Sequence, residues 1–310
     1  MSSENIGKIS KLLESYEPGR IISSEKLIFS RAMEQDVYNV TSPFLVSGKE
    51  YLLGRVETRG DERNTKAIFF QKKENLWEAD IRMPIFSLQD PFIFPFKNEI
   101  IVGGVEVVQK KARKFLSYRN AFYAGKDVFY LSKLGNGPWG MKGIRFKDLP
   151  NEKIGVFTRL QGDGGGRGKI GFAIINSLDE LKPRLMSQTV AIQGIFAEGE
   201  WGGVNEIHKL KNGKWGVLAH VARYAKGKIR HYYPISFLFD YEKREISKVK
   251  ILTRREDLPE DEAKKPDLFY VVYPGGIVRK DDGTAVLYVG VGDSKAYAVA
   301  MKDPFLEYED

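Results

Sequence analysis

Two carboxylates stand where the chain turns from a polar cluster into an apolar run, Asp90 in LQDPFIF and Glu206 in WGGVNEIHKL. Cleaving an acetal needs a carboxylic acid to protonate the leaving oxygen; hydrolysis with inversion needs a second carboxylate ~6.5–9.5 Å away to activate water. Asp90 and Glu206 are the candidates for these two catalytic roles. Glu57, Glu106 and Asp293 follow on neighbouring segments, where Glu57 and Asp293 read as structural acids.

Cations recur near the same openings: Arg55, Lys142, Arg145, Arg159, Arg167 and Arg230 beside His231. A guanidinium fork suits phosphate or carboxylate, which makes Arg159, Arg167 and His231 candidate phosphate ligands. Asn39, Glu106, Lys142, Arg145, Asn205, Trp201 and Tyr273 are the candidates for binding substrate. Trp139 and Trp201 precede openings and could stack on a ring, whereas Trp77 and Trp215 read as packing.

Other chemistries lack their residues. The chain has no cysteine, which excludes disulfides, thiol nucleophiles and Cys-ligated metals. Its three histidines, His208, His220 and His231, do not converge: pairing about Asn212-Gly213 would set His220 opposite Asn205 and His208 opposite Val217. No metal is assigned, with calcium on carboxylates left open. No GxSxG elbow occurs. The run Gly162 to Lys169 is not a P-loop, because Ile170 stands where Ser or Thr should follow the lysine. Its GxGxxG match at Gly166, Gly168 and Gly171 precedes a strand-like FAII rather than a helix. The run therefore reads as an inter-strand loop, or as one that carries Arg167 and Lys169 over an anion.

The elements that position these residues are strands. Residues 1–30 form a lead-in, with Ile6, Ile9, Leu12 and Leu13 at helical spacing, expected to pack outside the fold. From about residue 31 to 310, short β-rich runs are joined at Ser47-Gly48, Lys97-Asn98, Asn212-Gly213 and Asp282-Gly283. Asn39, Asp90, Arg145, Glu206 and Tyr273 mark five openings 51, 55, 61 and 67 residues apart. That period suits an all-β, five-bladed β-propeller as one domain, its first strands lining a central channel.

Of 310 residues, 42% are hydrophobic and the formal net charge is +8. The apolar share supports a packed core, and the charge favours an anionic ligand. Basic residues are spread along the chain among 41 acidic ones, which argues against nucleic acid. With no long apolar run and no apolar leader in MSSENIGKISKLLES, the chain reads as cytoplasmic, without a membrane role. A homo-oligomer is left open.

The segments VYNVTSPF, GRVETR, DPF, MKGIRF, GGRGKIGF, WGGVNEI, RHYYP and LYVGVGDSKAYAVA resemble an uncharacterised bacterial and protist family within the five-bladed propeller superfamily that holds glycoside hydrolase families 43, 32, 62, 68 and 130. Family 130, the mannoside phosphorylases and related mannosidases, is the nearest enzyme family. The resemblance implies that Asp90 is the proton donor, acting in the phosphorylases through a sugar hydroxyl, and that Arg159 and His231 meet phosphate. Asn39 stands where family 43 has its basic Asp, and Asp90-Pro91-Phe92 replaces family 130's DPR. The expected activity is phosphorolysis or inverting hydrolysis of a mannoside-like oligosaccharide, with inorganic phosphate as co-substrate in the first case and no other cofactor. A non-catalytic propeller that binds a glycan or anion is the alternative, and a calcium-dependent lactonase or lyase a third reading.

Overall fold

The computed structural model describes residues 8–32, 34–61, 64–109, 116–162, 166–187 and 189–309. Five sheets, antiparallel but for one short pairing, follow one another along the chain. Each begins at one of the openings read from the sequence, and together they form a five-bladed propeller.

Blade one sets Asp36–Tyr38 and Phe44–Val46 against Lys49–Glu57, followed by Lys66–Lys73 and Leu76–Ala79. Blade two runs Gln89–Phe96, Glu99–Gln109, Leu116–Gly125, Ser132–Asn136, and blade three runs Arg145–Asp148, Ile154–Gly162, Gly166–Ile175, Val190–Ala191. Blade four is built on Trp201–Lys209, Trp215–Tyr224 and Arg230–Asp240. Blade five has Val272–Arg279, Thr284–Val291 and Lys295–Lys302. The four expected turns all join adjacent paired strands.

A blade presents apolar side chains on both faces and cannot cover them alone. The described core accordingly divides into five clusters, one between each pair of neighbours. Phe157 and Phe172 of blade three meet Trp215 and Phe239 of blade four; Val37 and Phe70 of blade one meet Ala296 of blade five.

The lead-in is more than an outer layer. Helix Lys8–Glu14 does pack on the outside, burying Ile9 and Leu12 against blades three and four, while Ile6 lies outside the described residues. Ile21–Lys26, however, pairs with Lys295–Lys302 as the fourth strand of blade five, and Phe29–Ser30 pairs in parallel with Leu76–Ala79 of blade one. These pairings satisfy the outer edges of the first and last blades, which would otherwise present unpaired backbone groups. The boundary expected at residue 30 is therefore not a structural one.

The blade-four hairpin also departs from its expected register. Lys211-Asn212-Gly213 is a three-residue loop, with Gly213 at φ +80° and Leu210 N–H donating to Lys214 O at 2.9 Å. His208 consequently faces Gly216, and a bulge at Asn205 then sets His220 opposite Gly203.

Candidate active site

All five blades contribute side chains to one cavity. It is strongly basic. Arg55, Lys142, Arg145, Arg159 and Arg230 line it against two carboxylates, Asp90 and Asp293. A second cavity, lined by Phe44, Phe92, Phe94, Ile207 and other residues of every blade, shares Arg145 with the first. The Arg145 guanidinium lies 3.7 Å over the Phe92 ring and donates to the carbonyls of Asn205 and Ile144, both at 2.9 Å, as a septum between the two.

Backbone geometry aims the acidic side. Gln89–Phe96 carries a bulge at Asp90-Pro91, and Asp90 itself has φ +46°. Asn39 at φ +47° and Asp293 at φ +53° share this left-handed conformation. Asn and Asp tolerate it better than other residues with a side chain beyond glycine, and its repetition around one cavity marks a place where aim outweighs relaxation.

Asp90 Oδ1 accepts from Asn39 Nδ2 at 2.9 Å and from Arg55 Nη1 at 3.0 Å, while Lys142 Nζ stands 3.7 Å from Oδ2. Burial alone would raise its pKa. Arg55, then Lys142 and the hydrogen bonds, overcome that and hold the carboxyl well below the usual range. Arg55 is fixed in turn by Glu57, which accepts its Nη2 at 2.9 Å, Tyr38 OH at 2.6 Å and Thr65 Oγ1 at 2.7 Å and pairs with Lys264. Glu57 is thus structural, as expected. Asp293 is different: it lines the cavity, and burial raises its pKa despite Arg55.

On the basic side, Arg159 is 6% exposed and makes no hydrogen bond or ion pair to any described residue. A buried guanidinium without a counter-ion is costly unless an anion joins it. Gly168 lies against it; a Cβ there would come 2.3 Å from Arg159 Nε, which gives the glycine-rich hairpin a packing reason. Arg230 pairs with Asp267 at 3.2 Å but leaves its buried Nε without a partner. Burial lowers the pKa of Lys142, opposed by Asp90.

Of the sequence candidates, Asn39, Asp90, Lys142, Arg145, Arg159 and Tyr273 come together around this cavity. Glu206 does not. It lies on the second cavity and accepts Ile277 N–H at 2.6 Å and Ser42 Oγ at 3.2 Å, so it cannot pair with Asp90 as a water-activating base. Asn205, at the bulge, sits behind the cavity with Nδ2 on Pro274 O at 2.7 Å and Oδ1 on His220 Nδ1 at 2.7 Å. Glu106 is engaged on the surface of blade two by Arg119 at 2.7 Å and Lys133 at 3.3 Å.

Trp201 is 3% exposed and donates to Tyr232 OH at 3.1 Å, which removes it as a stacking platform, and Trp77 and Trp215 are core as expected. Trp139 remains accessible, with Arg119 4.1 Å over its ring. Arg167 is exposed, stacked over Trp201 and Tyr224 with Nη2 donating to Tyr224 OH at 3.0 Å, away from the cavity lining. Residues 163–165 of the same loop lie outside the described residues. His231 stacks on Tyr270 at 4.4 Å and meets Tyr233 OH at 3.0 Å. Alternation explains it: Arg230 and Tyr232 line the cavity, and His231 between them faces the other way. Arg55 and Arg230, read from the sequence as cations near the openings, do line the cavity, and the structure adds His220 and Asp293.

A model of the family described as "Protein of unknown function (DUF1861)" matches residues 14–307. The chain belongs to the DUF1861 family. Several solved structures share the DUF1861 chain's fold. A mannose phosphorylase from Leishmania mexicana, MPT-4, determined with phosphate ion, is 32% identical over 97% of this chain and 95% of its own, with TM-score 0.89. MPT-1 from the same organism, a GDP-Man-dependent mannosyltransferase, is 29% identical over 97% of each chain, with TM-score 0.87. A β-1,2-mannobiose phosphorylase from Listeria innocua has the same fold at 15% identity, covering 92% of each chain, with TM-score 0.61. No curated protein matches the sequence.

Proposed function

We propose that this protein is a mannoside phosphorylase, which moves a mannosyl group between an oligosaccharide end and inorganic phosphate in the five-blade funnel. The observation that carries this reading is Arg159, a buried guanidinium without a hydrogen-bond partner among the described residues, beside Lys142 and Arg230 in the same cavity as Asp90. Such a clamp takes the place of the second carboxylate that hydrolysis would need. The 32% identity to the Leishmania mexicana phosphorylase supports it.

In phosphorolysis the bond from the anomeric carbon to the leaving oxygen breaks and a phosphate oxygen bonds to that carbon. Asp90 directs a proton to the leaving oxygen. At rest Arg55 and Lys142 keep Asp90 ionised, so the proton must be supplied from elsewhere. Monohydrogen phosphate meets both needs: its negative charge offsets the cations that depress Asp90, and its own proton balances the one delivered to the leaving group.

Purified protein incubated with manno-oligosaccharides and phosphate should release mannose 1-phosphate, and none without phosphate. Free mannose independent of phosphate would point to hydrolysis instead, and absence of both products would leave a binding propeller. A second reading, mannosyl transfer from a nucleotide sugar, is favoured by the 29% identity to the GDP-Man-dependent transferase, since the same cations would suit a diphosphate. GDP-mannose with an acceptor and no phosphate separates the two.

A further inference from the structure

The imidazole of His220 is held in one tautomer by the residues behind it. Pro274 O can only accept, so the atom of Asn205 2.7 Å from it is the amide nitrogen. Asn205 Oδ1 therefore faces His220 Nδ1 at 2.7 Å and accepts its proton. Burial first, then the charges of Arg159 and Lys142, lowers the pKa of His220 well below the usual value, so the ring is neutral. A neutral imidazole carries one N–H, which leaves Nε2 as a bare lone pair.

That nitrogen is buried and has no partner among the described residues. The ring lines the cavity with Arg159 and Lys142, between Tyr232, stacked at 5.8 Å, and Tyr273, at 5.0 Å. Every charged neighbour on the basic side donates, whereas His220 can only accept. A ligand filling this corner must bring negative charge for the cations and an O–H for the imidazole. Bare oxyanions satisfy the first requirement and fail the second.

We propose that His220, oriented by Asn205, accepts a hydrogen bond from the single protonated oxygen of monohydrogen phosphate and thereby selects phosphate over sulfate. The two ions share charge and tetrahedral shape near neutral pH, and they differ in that proton. This inference rests on the phosphorylase reading only for the presence of a phosphate site.

Calorimetric titration at pH 7.5 and constant ionic strength, with inorganic phosphate and with sulfate, tests it. Phosphate should bind the unaltered protein tighter than sulfate by on the order of 10²-fold or more. The Asn205→Leu variant frees the ring to present Nε2–H, and His220→Gln can turn an NH₂ toward the anion. In each the ratio should collapse to within roughly tenfold, mainly through a gain for sulfate. Long-range ¹⁵N–¹H spectra of the unaltered protein should show His220 protonated at Nδ1, and Asn205→Leu should shift that signal, which loss of packing alone would not. Equal affinity for the two anions in the unaltered protein, or an Nε2–H tautomer, would overturn the proposal whether or not the variants fold. A ratio unchanged in both variants would do the same. If neither anion binds, the phosphate reading itself fails; if both bind equally, that reading stands and His220 does not select.

Discussion

Asp90 and Asp293 share a cavity but are driven in opposite directions, and each leaves a separate signature. Asp90 has its pKa depressed by Arg55 and Lys142 against burial. Its ionised form thus contributes stability above the unfolded Asp pKa of ~3.9, and that contribution is lost as pH falls through the folded value. Asp90→Asn should lower the melting temperature at pH 7 and show a smaller deficit at pH 3, by thermal melts at both. Its kcat/KM in the mannose 1-phosphate assay should fall ~10²–10⁴-fold, the usual scale for losing an acid–base group. Asp293 has its pKa raised, mainly by burial. A raised folded value means stability is fully present below the unfolded pKa and is lost as pH rises through the folded one. Asp293→Asn should therefore raise the melting temperature at pH 7 by about 2 °C, the scale of ~1 kcal/mol in a chain this large, and lose that advantage near pH 4. Activity should fall in the same variant, the trade-off expected where function retains a strained acid.

At the level of the element, two strand devices decide which side chains meet. The bulge at Asn205 shifts the pairing of Trp201–Lys209 by one place, with Asn205 supporting His220 and Glu206 joining Ile277. Strand alternation puts Arg230 on the cavity and His231 on Tyr270. The alternation was open to sequence reading; the bulge was not, since no local residue pattern in GGVNEIHKL distinguishes it from an unbroken strand. The hairpin of Ile154–Gly162 and Gly166–Ile175 offers a test. Gly168, at φ +144°, has Arg159 Nε 2.3 Å from where a Cβ would stand. Gly168→Ala should push the guanidinium aside and raise the KM for phosphate about tenfold, with a smaller change in kcat at saturating phosphate. Equal loss in kcat and kcat/KM would mean that Arg159 does not hold the ground-state anion.

Over the whole molecule, the ring closes by joining its two ends. Ile21–Lys26 supplies the outer strand of blade five, and Gly275 meets blade one so closely that a Cβ would fall 1.5 Å from Val40 O. A chain beginning at residue 27 should expose the edge of Lys295–Lys302, lower the melting temperature by about 5–10 °C and associate on size-exclusion chromatography. Retention of the full-length melting temperature would show that the pairing is dispensable. The charge of the funnel also belongs to this scale. Five cations from blades one, three and four gather around one cavity, so anion affinity should fall as sodium chloride screens them.

By itself the sequence determined the five blades, the turns that join their strands and the openings bearing Asp90, Lys142 and Arg145, because alternation and turn chemistry are properties of neighbouring residues. The same local logic explains why Trp77 and Trp215 were legible as core and the glycine-rich run as a hairpin rather than a nucleotide loop. Only the tertiary structure decided which polar groups share the funnel. Asp293 reaches Arg55 and Asp90 across more than two hundred residues, once blade five closes on blade one. A bulge and a three-residue loop, each altering a register by one place, moved His220 from opposite Asn205 to opposite Gly203, while Glu206 lines the second cavity. Side chains on a strand change face with every residue, so a single step in register is enough to exchange a catalytic candidate for a structural one.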